Sequence, residues 1–223
     1  SAGAVTISNV ETLIGSSGDD DVTLAATVSG ANIDLGTGAN TLTLAAGANT
    51  LAASGVATIT GSANSDALTL TNAQNGTTIA LGGGTDTLTL ADGGNSVTVS
   101  GGETIIGGSG ADSVTLDSAG AVTISGIETL IGSSGDDAVT LAATVSGASI
   151  DLGAGTNTLL LASGANSLAA SGVVTITGSA GSDALTLTNA QSGTTIALGG
   201  GTDTLTLAAG GNTVTVTGAE SIV

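Results

Sequence analysis

The side chains here that could do acid–base or metal chemistry are carboxylates: 14 Asp and four Glu in 223 residues, with no Lys, Arg, His, Cys or Tyr. A Ser–His–Asp relay cannot be written from this alphabet, nor can a zinc centre of His and Cys. Paired carboxylates alone can hydrolyse glycosides. The aromatic and basic side chains that hold a sugar in such sites are missing, so a non-enzyme is expected. The formal charge of −18 is wholly uncompensated. Affinity for nucleic acid phosphates or anionic lipid headgroups requires cationic side chains, which leaves cations as the natural partners of this chain.

The acids are not scattered. Glycine-rich phrases open at Gly15, Gly36, Gly61, Gly82, Gly107, Gly132, Gly153, Gly178 and Gly199, and each contains an Asp or Asn at one place: Asp20, Asn40, Asp66, Asp86, Asp112, Asp137, Asn157, Asp183 and Asp203. Two residues before each stands Gly, or Asn64 in one case, residue types that tolerate a left-handed backbone. Four residues after each comes Leu: Leu24, Leu44, Leu70, Leu90, Leu116, Leu141, Leu161, Leu187 and Leu207. The intervening V/L-T-L alternates apolar and polar residues, the pattern of a strand with one buried face.

The elements that position these turns follow from repetition. SAGAVTISNVETLI at 1–14 returns as SAGAVTISGIETLI at 118–131, so the long repeat spans 1–117 and 118–223 with a period of 117 residues, the second copy incomplete. Such self-similarity marks an array of stacked units. Within the repeat the step between phrase starts is 21, as from Gly15 to Gly36, or 25, as from Gly36 to Gly61. No segment has the i, i+3, i+4 apolar spacing of an amphipathic helix, and Gly and Thr are too dense for one. The fold expected is all-β: a single continuous β-solenoid over 1–223. It would have nine to ten stacked coils of about 21 or about 25 residues, a period typical of solenoids, the first a partial coil at 1–14. Forty per cent apolar residues permit a thin aliphatic core without aromatic rings. No run of 18 apolar residues is present, and the missing initial Met suggests a mature product or an excerpt.

Stacked coils bring like-numbered acids together. Asp66, Asp86 and Asp112 are expected in one column about 5 Å apart, where two carboxylates repel by roughly 1 kcal/mol in water and several times more at lower effective dielectric. Calcium, which takes six to eight oxygens, would relieve this. The alternative is that Asp and Asn are simply hydrated turn residues. Glu11, Glu103, Glu128 and Glu220 read as solvent-facing.

Gly107-Gly108-Ser109-Gly110-Ala111-Asp112-Ser113-Val114 spells the opening of G-G-x-G-x-D-x-U-x, and the chain thereby resembles the RTX-type calcium-binding β-roll repeats of bacterial secreted and surface arrays. The resemblance implies calcium at the nine Asp and Asn positions named above. It also implies an extracellular or cell-surface location, with self-association or neighbouring repeats of the same protein as partners. The family builds its coils from two nine-residue halves, about 18 residues a turn, and places the motif at both edges. Here the phrase starts are wider, and the second turn usually offers Asn49, Asn95, Asn166 or Asn212.

The role expected is a structural, calcium-stabilised segment of a surface filament, surface layer or long adhesin, stacking end to end. A metal-independent spacer is one alternative. Ice binding is the other, because Thr23, Thr43, Thr69, Thr89, Thr115, Thr140, Thr186 and Thr206 form a rank interrupted only by Leu160. Its companion positions, Asp21, Thr41, Ala67, Thr87, Ser113, Ala138, Thr158, Ala184 and Thr204, break the second rank that an ice lattice requires.

Overall fold

A computed structural model describes residues 4–223; the start of the partial coil at 1–14 lies outside them. Among the described residues there are 25 strands and no helix. All pairings given between them are parallel, and the chain is a parallel β-solenoid of about 11 turns, close to the nine to ten expected.

The residues fall into two compact units, 4–114 and 115–223, whose boundary passes through the strand Ser113–Leu116. In the first unit one sheet contains Ala4–Ile7, Asp21–Leu24, Thr41–Thr43, Thr58–Ser62, Asn75–Gly82 and Ser96–Ser100, while the other contains Thr12–Ile14, Ser29–Asp34, Thr50–Ser54, Ala67–Leu70, Thr87–Thr89 and Thr104–Ile106. The second unit repeats the plan. Gly120–Ser125, Asp137–Leu141, Thr158–Leu160, Thr175–Ser179, Ser192–Gly199 and Thr213–Thr217 make one sheet, and Thr129–Ile131, Ser146–Asp151, Ser167–Ser171, Ala184–Leu187, Thr204–Thr206 and Ser221–Ile222 the other.

The core of each unit is built from columns of aliphatic side chains in register. In the first, Val22 pairs with Leu42, Leu42 with Ile59, Ile59 with Ile79 and Ile79 with Val99, all buried. In the second, Val139, Leu159, Ile176 and Ile196 do the same. Period-2 alternation produces this directly, since each V-T-L phrase buries its Val and Leu and turns its Thr outward, while T-I-T buries its central Ile and turns both Thr outward.

The windings are shorter than the coils expected from the spacing of the glycine phrases. Paired positions are offset by 17 (Thr41 with Thr58) or 20 (Thr58 with Thr78), and by 21 beside a bulge (Asn75 with Ser96), the same separations that the turn-to-turn hydrogen bonds span. The glycine phrases do not mark whole turns. Between Gly36 and Gly61 lie three strands, a turn and a half, whereas between Gly15 and Gly36 lie two. The phrases therefore open strands of both sheets. The strand Ala4–Ile7 recurs as Gly120–Ser125, 13 strands later, so the 117-residue repeat averages nine residues per strand.

Candidate functional site

The nine turn residues sit immediately before a strand or at its first residue, and eight of them are buried; Asp20 is half-buried. A short polar side chain there turns its oxygen toward the preceding turn and accepts that turn's N–H. In the first unit Asn49 N donates to Asp66 Oδ1 (2.8 Å), Asp66 N to Asp86 Oδ1 (2.6 Å) and Asp86 N to Glu103 Oε2 (2.7 Å). In the second, Asn166 N donates to Asp183 Oδ1 (2.9 Å), Asp183 N to Asp203 Oδ1 (2.7 Å) and Asp203 N to Glu220 Oε2 (2.6 Å). Shorter ladders join Asp20 N to Asn40 Oδ1 and Asp137 N to Asn157 Oδ1, both 2.8 Å. These bonds satisfy amides that would otherwise be buried without a partner.

Asp66 and Asp86 share a column as the sequence suggests, but Asp112 does not join them. Three strands separate the turn of Asp86 from that of Asp112. An odd number places Asp112 at the turn into the other sheet, where its Oδ1 accepts from Asn95 N and Nδ2 at 2.9 and 2.7 Å. The second-turn residues Asn49, Asn95 and Asn166 therefore belong to the same ladders as the aspartates, while Asn212 Oδ1 accepts from Gln191 N.

The second carboxylate oxygen separates the turns into kinds. Asp20 Oδ2 accepts from Ser16 N (2.7 Å), Asp66 Oδ2 from Ser62 N (3.0 Å), Asp137 Oδ2 from Ser133 N (2.8 Å) and Asp183 Oδ2 from Ser179 N (3.3 Å). At Asn40 and Asn157 the amide Nδ2 takes the place of that oxygen, donating to the carbonyls of Leu35 and Gly55, and of Leu152 and Gly172. At Asp86 and Asp203 the residue four earlier is Gly82 or Gly199, and Oδ2 is buried without a hydrogen-bond partner. Burial first, then the negative charges of Glu103 and Asp66, push the Asp86 carboxyl above the usual aspartate range, against the Asp66 N–H that lowers it. Elsewhere, the exposed Asp92 carboxyl is held low by the N–H and then the hydroxyl of Ser109.

Calcium binds where several oxygens remain free to converge. Among the described residues no cluster of three or more acidic side chains is close enough to hold a metal ion. At Asp20, Asp66, Asp137 and Asp183 an ion would first have to displace N–H donors. Of the turns so compared, Asp86 and Asp203 fit it better, each with a spare buried oxygen and a second carboxylate on the next turn. Glu103 and Glu220, read as solvent-facing from sequence, are half-buried and exposed respectively, and each accepts a main-chain N–H. The signal for them was present, since Glu103-Thr104-Ile105 is the phrase Asp86-Thr87-Leu88 with a longer acid.

The outward Thr positions also regroup. Thr41, Thr58, Thr78 and Thr98 stand in register on one sheet of the first unit, beside Thr23, Thr43, Thr60, Ala80 and Ser100. In the second unit Thr158, Thr175, Thr195 and Thr215 form the corresponding rank. The second rank looks broken in sequence because aligning the glycine phrases mixes residues of two sheets.

Comparison with protein-family models, with curated proteins and with solved structures returned no match.

Proposed function

We propose that this chain is a structural segment of an extracellular bacterial repeat array, such as a surface filament, surface layer or long adhesin, stabilised by calcium and flanked by further repeats of its own kind. The observation that carries this reading is the average of nine residues per strand over the 117-residue repeat. It is the half-turn length of the RTX-type β-roll that the G-G-x-G-x-D phrases resemble. The mechanism is mechanical. Each turn binds its neighbours through main-chain pairing, aliphatic columns and acid–amide ladders, and cations offset a charge for which the chain has no basic side chain.

Ligands that bind only the folded state stabilise it by mass action. Thermal unfolding followed by circular dichroism, in EGTA and in millimolar calcium at matched ionic strength, is expected to show a higher midpoint with calcium. Identical curves would remove calcium from the reading and leave a metal-independent spacer.

The registered Thr ranks favour one second reading, ice binding. A neutral grid of hydroxyls and methyls, about 4.8 Å across strands and roughly 6.7 Å along them, suits an ordered water lattice. Thermal hysteresis by the isolated chain is its test, and none should be seen if the ranks are only strand formers.

A further inference from the structure

We propose that Asp86 with Glu103, and Asp203 with Glu220, form two cation sites per chain, each taking one hard divalent ion such as calcium through the spare Asp Oδ2 and the Glu carboxylate of the next turn. This rests on the calcium reading above, but singles out two of the nine candidate turns and adds glutamates as ligands.

The acid pair alone would not point to an ion; the orphan oxygen does. Asp86 and Asp203 are both 0 % exposed, and each Oδ2 is buried without a donor. A buried carboxylate oxygen left unpartnered costs far more than one facing water. At each site a second acid is bound one turn away through the same main-chain amide, with Asp66 or Asp183 on the other side. The three acids thus belong to successive turns, whose backbones are spaced about 4.8 Å apart. The chain contains no Lys, Arg or His to compensate them.

The chain carries its own controls. At Asp66 and Asp183 the extra oxygen is consumed by a serine N–H, and at Asn40 and Asn157 it is replaced by a donating amide. The turns of Asp86 and Asp203 read Gly82-Gly83-Gly84 and Gly199-Gly200-Gly201. A Cβ built at Gly83 would meet nothing nearer than 3.9 Å, and one at Gly200 nothing within 4 Å. Gly83 and Gly200 lie on the exposed outer side of their turns.

The test is equilibrium dialysis of the full chain against radioactive calcium after EGTA treatment, with far-UV circular dichroism in EGTA as the folding control. The native chain should hold two ions, Asp86→Asn one, Asp203→Asn one, and the double variant none. Each Asn should leave the metal-free fold intact, as Asn40 does in its own turn. Glu103→Gln, which keeps Asp86, should weaken one of the two sites at least tenfold, and it serves as the test should an Asp variant fail to fold. Two ions retained by the double variant, or more than two in the native chain, would move calcium to other turns, overturning the pair assignment while leaving a calcium-stabilised solenoid. No uptake by the native chain would overturn both.

Discussion

An asparagine side chain can accept and donate at once, and Asn49 uses both capacities where a carboxylate could use only one. Its Nδ2 donates to the carbonyls of Ala45 and Gly47 and to Asp66 Oδ1, while its Oδ1 accepts from Val28 N at 3.3 Å. Asn49→Ala leaves buried acceptors without donors and should cost about 2–3 kcal/mol. Asn49→Asp is nearly isosteric, yet it sets a second carboxylate against Asp66 and removes every donor. It should therefore destabilise more than alanine at neutral pH, and the gap should narrow as both acids are protonated. Urea unfolding at two pH values measures this, and an aspartate variant no worse than alanine at neutral pH would show that the donors do not matter. The acid turns were legible as a class because Asp and Asn recur at one place in every glycine phrase. Their use as amide acceptors was not legible, because it depends on which residue of the neighbouring turn lies opposite, and nothing within a single phrase encodes that offset.

Whole strands were easier to read than the winding that stacks them. Thr58-Ile59-Thr60 alternates so plainly that its buried Ile59 needs no structure to be found. The column it joins was hidden: Val22 and Leu42 follow glycine phrases, but Ile59, Ile79 and Val99 do not. Counting only phrases thus mistook a turn and a half for one coil, and it placed Asp112 with Asp86. What holds the turns at this pitch is glycine where two backbones meet. Gly55 has φ +64°, and a Cβ there would fall 2.2 Å from the Gly36 carbonyl oxygen, whereas Gly30, at φ +74°, has nothing within 4 Å. Gly30→Ala should cost only the left-handed backbone penalty, about 1–2 kcal/mol. Gly55→Ala should cost that amount and also force the turns apart, for a total on the order of 3 kcal/mol or more. Equal shifts in the urea midpoint would mean that the turns are not in the close contact described.

At the scale of the molecule the governing quantity is a charge of −18 with no basic side chain to offset it. Folding gathers those charges into a smaller volume, so self-repulsion weighs on the folded state more than on the expanded chain. Raising ionic strength from about 0.01 M to about 0.1 M shortens the screening length from roughly 30 Å to roughly 10 Å, long enough before and short enough after to decouple acids on different turns. The melting midpoint should therefore rise with sodium chloride, and equally with potassium or choline chloride, because screening is blind to the cation. Ladder acids within one strand spacing of each other are screened least, and for them calcium should add a further increment at matched ionic strength. The two contributions separate by substitution: Asp86→Asn with Asp203→Asn should abolish the calcium increment and leave the dependence on monovalent salt nearly intact. A midpoint indifferent to monovalent salt would mean that the solvent-facing acids, among them Asp19, Asp21, Asp34 and Asp92, are already hydrated and far enough apart to ignore one another, leaving the buried ladders as the only electrostatic term in the stability of this fold.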